Sequence, residues 1–168
     1  MRKVITSALF VLFATMAPAS AQPVPALKWG SILIYQAELL DDVFPNENEL
    51  TAYMHRLENA ASNAFEAQPS NVSGVIFVAV KPDRRARVWI LGDGGQTPAA
   101  LKARLESGLG EIEPIRVRHD FLFGLTFNAG SAAPFAAPGP PPIPPEWEAQ
   151  IPPQGTMLDD AFIDRVWP

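Results

Sequence analysis

The run Val75 to Val80, VIFVAV, is apolar at every position, so a strand built from it has no polar face to offer water. Just beyond it the pattern changes. Arg85 and Arg87 alternate with Ala86, Val88 and Ile90. Two strands, Val75–Lys81 and Ala86–Leu91, are therefore expected, joined at Pro82-Asp83-Arg84-Arg85. Proline followed by aspartate suits a tight turn, which makes the pair a β-hairpin.

Upstream, Leu50, Tyr53, Met54, Leu57, Ala60, Ala61, Ala64 and Phe65 recur at three- and four-residue steps, predicting a helix through about Glu66. Asn46 is placed to cap it, with Glu49 three residues on, and Gln68-Pro69-Ser70-Asn71 ends it. Downstream, Gly92-Asp93-Gly94-Gly95 breaks the second strand. A second helix then starts with Thr97 as cap and Pro98 at its first position, buries Leu101 and Leu105, and stops before Gly108, with Leu109 packing back. From Ile115 to Asn128 the odd positions Ile115, Val117, His119, Phe121, Phe123, Leu125 and Phe127 alternate with Arg116, Arg118, Asp120, Thr126 and Asn128. That is the period of a half-buried strand, with a bend at His119-Asp120.

The order helix, strand, strand, helix, strand predicts an α+β core domain over residues 45–130. Its expected sheet is three-stranded and antiparallel, in the order 2-1-3, with both helices on one face. The all-apolar strand is then central, and Thr126 lies on an edge strand. The far face of the central strand needs a cover. Candidates are WGSILIYQAELL in the N-terminal segment 22–44, the proline-rich segment 131–155 with Trp147, and the C-terminal amphipathic helix 156–168 with Leu158, Phe162 and Val166. A partner protein is the fourth. Periodicity leaves WGSILIYQAELL open between strand and helix, while the prolines predict extended or polyproline II chain and exclude helix.

Residues 1–21 read as a signal peptide. Arg2 and Lys3 precede the apolar run Val4 to Met16, and Ala19-Ser20-Ala21 offers a cleavage site before Gln22. Thirteen residues fall short of the roughly 20 that a membrane span needs. The expected location is periplasmic or secreted, with no integral membrane span after cleavage. The whole chain has 13 basic and 18 acidic side chains, and losing Arg2 and Lys3 takes the formal charge from -5 to 11 − 18 = -7. Such acidity argues against nucleic acid as a partner. Without cysteine there is no disulfide framework and no thiolate chemistry.

The run GVIFVAVKPDRRARVWI, followed by TPAALKARLESGLGEI and HDFLFGLTFNAG, resembles the C-terminal domain of TonB-like envelope proteins. Gly74, Pro82-Asp83 and Ala99-Ala100-Leu101 stand at the matching places over about Leu50 to Asn128, and Arg84 replaces the usual turn glycine. The resemblance implies a periplasmic module that binds an envelope protein or peptide by adding a strand at its sheet edge.

Candidate chemistry is sparse. His55 lies off the apolar helix face, and His119 beside Asp120 is the one Asp–His pair that base catalysis could use. A strand bend explains that pair equally well. No Gly-x-Ser-x-Gly elbow occurs, and Leu91-Gly92-Asp93-Gly94-Gly95 lacks the Lys-Ser/Thr of a phosphate-binding loop. Asp41-Asp42 and Asp159-Asp160 read as solvated pairs. The expectation is a protein that is not an enzyme and that uses no cofactor or metal. The basic residues are clustered, eight of them between Lys81 and Arg118. In the expected sheet Arg85 and Arg87 stand about 10 Å, two strand spacings, from Arg116 and Arg118. Those four arginines, with Thr126 on the edge, are the expected partner-binding residues, suited to a carboxylate or phosphate. The alternative is a self-covered structural or inhibitor-type protein that takes no strand.

Overall fold

The computed structural model describes residues 27–35, 43, 46–93, 97–130, 132, 133, 135, 143–151 and 160–168. The signal segment, Asp41-Asp42, Gly94-Gly95, Leu158, Asp159 and much of the proline-rich stretch lie outside these residues. The elements run β1 (Lys28–Ile34), α1 (Glu47–Ala67), β2 (Val72–Val80), β3 (Ala86–Gly92), α2 (Ala99–Gly110), β4 (Phe121–Ala129), a 3-10 helix (Pro145–Gln150) and α3 (Asp160–Val166). The α+β class holds. The three-stranded sheet does not: one antiparallel sheet has four strands in the order β1-β4-β2-β3. Residues Lys28–Ile34 pair along the side of β4 that the sequence left as an edge.

Local chemistry sets the element ends. Asn46 sits in extended conformation and its side chain accepts the Asn48 N–H at 3.0 Å, capping α1. The hairpin loop Pro82-Asp83-Arg84 is closed by Lys81 and Arg85, with Lys81 N donating to Arg85 O at 2.9 Å. Arg84 takes φ 65° there. That left-handed position normally falls to glycine, and it costs an L residue roughly 1 kcal/mol. Asp83 stiffens the loop by accepting from Arg85 N (3.2 Å) and Nε (2.7 Å). The Arg85 hydrogen bond holds the Asp83 carboxyl below its usual range.

Three boundaries differ from the sequence reading. Helix α2 continues through Gly108 to Gly110, and Pro98, not the Thr97 side chain, stands at its cap. Running on places Leu109 under Leu101 and Leu105. Burying it, worth about 1.5–3 kcal/mol, outweighs the ~1 kcal/mol that a helical glycine costs. Strand β4 starts at Phe121, because Ile115–Asp120 is an irregular lead-in that still buries Ile115 and Val117. Pro145–Gln150 forms a 3-10 helix inside the proline-rich stretch, where a proline in the first turn has no N–H to lose.

Both faces of the sheet are covered. On the near face, Tyr53, Leu57, Ala61 and Phe65 of α1 and Leu101, Leu105 and Leu109 of α2 pack on Ile76, Val78 and Val80 of β2. Phe121, Phe123, Leu125 and Phe127 of β4 complete that layer. The far face answers the puzzle of the all-apolar strand. Val75, Phe77 and Ala79, with Trp89 and Leu122, lie under Trp147 of the 3-10 helix and Phe162 and Ile163 of α3. The helices α1 and α2 share the near face, and the C-terminal segment forms a third layer on the far one. Trp147 is its plug, edge-on to Phe77 (5.4 Å between centroids), Trp89 (4.9 Å) and Phe162 (5.6 Å).

Polar contacts clasp the same layer. Buried Lys81 places its Nζ 2.6 Å from Asp164 of α3, 4.0 Å from buried Asp120 and 5.3 Å from the Trp167 ring centre. Two carboxylates offset the cost of desolvating that ammonium. Arg85 also lies over the Trp167 ring, at 5.3 Å from its centre.

Two outcomes follow for stability. Trp147→Ala should cost about 3–5 kcal/mol and release the C-terminal layer, read as a lowered urea midpoint and faster proteolysis after residue 151. An unchanged midpoint would contradict Trp147 as the plug. Thr126→Val should cost roughly 1–2 kcal/mol, through contacts described next, with hydrogen exchange accelerating selectively in β1.

Candidate functional site

Four strands leave two sheet edges, β1 and β3. They are treated differently by the rest of the chain. Beside β3 runs a groove of about 580 Å³, floored by Ala86–Trp89 and walled by Lys102 and Glu106 of α2 and by Glu146, Trp147 and Val166 of the C-terminal layer. Ile90 N donates to Glu106 Oε1 at 3.4 Å, so one outward amide of the strand already meets a side-chain acceptor. Arg87 and Lys102 balance Glu106 and Glu146 along the walls. This edge is guarded.

Among the described residues nothing pairs with the outer side of β1, whose geometry rests on one threonine. Trp29 pairs with Phe127 and Ile32 with Leu125, so Gly30 and Ser31 together oppose Thr126 in a β-bulge. The Thr126 hydroxyl accepts from Ser31 N at 2.6 Å and donates to Ser31 O at 3.1 Å, replacing the ladder bonds that the bulge breaks. Gly30 is required there because a Cβ would overlap Thr126 Oγ1. After the bulge the strand is regular again, with Leu33 opposite Gly124 and Ile34 opposite Phe123.

Tyr35 N donates to Leu122 O at 3.4 Å, which fixes the phase of the ladder. By the two-residue period Leu33 also bonds inward, and the backbone groups of Ile32 and Ile34 point away from the sheet. Their side chains share the near face with Leu125 and Phe123 but lie beyond α1. Ile32 is 46% and Ile34 37% exposed, the large hydrophobic side chains that the described residues leave to solvent. On the far face Leu33 and Tyr35 pack into the Trp147 layer, and burial pushes the Tyr35 phenol above its ordinary pKa. The strand is anchored by one face and offers the other.

The expected partner-binding residues are distributed differently from the sequence reading. Thr126 is buried on β4 between β1 and β2 and serves the bulge. Arg85 and Arg87 lie on the far-face side, over Trp167 and Trp89 respectively. Arg116 is on the lead-in to β4 and lines a hollow with Arg56 and Arg84. Arg118 donates its amide to Val43 O at 3.0 Å. Arg116 thus stands with Arg56 and Arg84, while Arg85 and Arg87 lie over Trp167 and Trp89. The sequence reading missed Ile32 and Ile34, although two β-branched residues in SILIY next to a glycine carry a strand signal.

As for chemistry, exposed His55 pairs with Glu58 at 3.0 Å, while His119 is exposed and its neighbour Asp120 turns inward to Lys81. Among the described residues no three metal-ligating side chains cluster, and no helix is long and apolar enough to cross a membrane. Comparison of the chain with protein-family models, with curated proteins and with solved structures finds no match.

If the β1 edge is a surface for a partner and not part of the core, Ile32→Ser with Ile34→Ser should shift the folding free energy by about 1 kcal/mol or less. The urea midpoint tests this. A loss several times larger would place both isoleucines in the core.

Proposed function

We propose that this chain is a non-catalytic, exported envelope protein that works as a protein-interaction module. It takes an extended segment of a partner protein onto the free β1 edge. The observation that carries the reading is the pair Ile32 and Ile34, exposed on an edge whose outward backbone groups meet no described side chain. Main-chain hydrogen bonds to Ile32 and Ile34 would supply affinity. Alternate apolar side chains of the added strand would lie against the two isoleucines and supply selectivity. This is the mode implied by the resemblance to TonB-like C-terminal domains, moved from Thr126 to the strand that Thr126 holds in place. Export is supported by Arg2, Lys3, the apolar run Val4 to Met16 and Ala19-Ser20-Ala21.

A second reading has its own observation. The far face is closed by the chain's own Trp147, Phe162 and Ile163, which favours a self-covered structural protein with no strand-adding partner.

One experiment separates the two. A photo-reactive amino acid at Ile32 should give a discrete crosslinked band in the envelope. Ile34→Pro should abolish it, because proline there removes an outward donor while sparing the inward ladder to β4. No band at Ile32, with the protein folded, would favour the self-covered reading and sink strand addition.

A further inference from the structure

A different surface carries a second site. On the near side of the hairpin turn a hollow of about 380 Å³ is lined by Arg56, Arg84 and Arg116, with Glu49, Glu113 and Ile115. The three guanidiniums come from α1, the β2–β3 turn and the lead-in to β4, so only the tertiary fold brings them together.

Two of them are held in place. Arg56 donates from Nη2 to the Glu113 carbonyl at 3.2 Å and lies 5.5 Å from the centre of the Tyr53 ring. Arg84 donates to the Glu113 carboxylate. It does so from the left-handed backbone position at φ 65° that glycine would occupy without strain. A strained residue whose side chain reaches a charged hollow suggests a role for that side chain beyond the turn. Arg116 forms no hydrogen bond or ion pair with any described residue. With Glu49 and Glu113 the lining has three positive and two negative side chains, a local excess of positive charge on a chain whose formal charge is -5.

We propose that this hollow binds a small ligand through an oxyanion group, phosphate or carboxylate, and that the Glu113 carboxylate occupies the oxyanion position when the ligand is absent. Guanidinium forks match both oxyanions, and the β2–β3 turn and the lead-in to β4 each bring one to the hollow. Arg84 and Arg116 supply donors to the anion, and Arg56 fixes the backbone at Glu113. Binding moves the Glu113 side chain out to solvent, which it already meets over 76% of its surface. Ligand affinity is therefore set against an internal competitor.

The test is an NMR titration of the full mature chain with inorganic phosphate, and in parallel with succinate, at constant ionic strength. Arginine Nε and backbone amide signals are followed. Saturable shifts confined to Arg56, Arg84, Arg116 and residues 113–116 are expected with at least one probe, and the probe that saturates lower names the oxyanion. Glu113→Gln should tighten binding roughly two- to fivefold by removing the competitor. Arg84→Gly should weaken it by a similar factor or more while Tm stays level or rises, because glycine relieves the turn. Arg116→Gln, in an exposed position, repeats the loss should Arg84→Gly fold poorly. Non-saturating drift that includes Arg104 and Arg165 equally overturns the site. So does Glu113→Gln with unchanged affinity, or Arg116→Gln with full binding.

Discussion

Strand β2 is buried on both faces along its whole length, and most of the architecture answers to that one constraint. A sheet whose central strand has no polar side needs two covers. The chain supplies one from α1 and α2 and the other from its C-terminal end. The second cover is thin. A 3-10 helix and a seven-residue helix hold it, so its hold on the sheet is concentrated in a few large side chains. Trp147 fills the space among Phe77, Trp89 and Phe162, and Lys81 clasps Asp164 from the end of β2 itself. The strand that demands a cover also carries the residue that fastens it.

Closing both faces leaves the edges as the sheet's remaining unsatisfied surface. At β3, Glu106 takes the Ile90 amide and the two walls of the groove flank the strand. At β1 the bulge at Gly30-Ser31 twists the first half of the strand out of line, a device that commonly discourages edge-to-edge pairing. The second half has no such device among the described residues and shows two isoleucines to solvent. An edge that is half guarded, with its open half apolar, is the geometry on which the proposed partner strand rests. The arginine hollow lies apart from both edges, beside the turn and α1, and its proposed role depends on neither.

The sequence showed the helices, the hairpin and the central place of β2, because those follow from period and turn chemistry within short windows. It misplaced features that depend on distant residues. Gly108 reads as a helix stop, yet the pocket that receives Leu109 keeps α2 turning. Ile115 and Val117 alternate with arginines like a strand, but no described strand pairs with them, so the ladder starts at Phe121. The candidate site was less legible still. Thr126 looked like an edge residue because nothing local in SILIY announces that it will pair some 95 positions away. Arg85 and Arg116 looked like neighbours because a flat three-stranded sheet would make them so.

Alone, then, the sequence determined the two core helices and the hairpin, which strand is most buried and that its far face must be covered, since hydrophobic period and turn residues act over a few positions. Tertiary structure alone decided what does the covering, which edge stays open and which arginines converge. Those choices depend on the fit between surfaces far apart in the chain: Trp147 between Phe77 and Trp89, the Thr126 hydroxyl in the bulge of β1, and Arg56 and Arg84 meeting at Glu113.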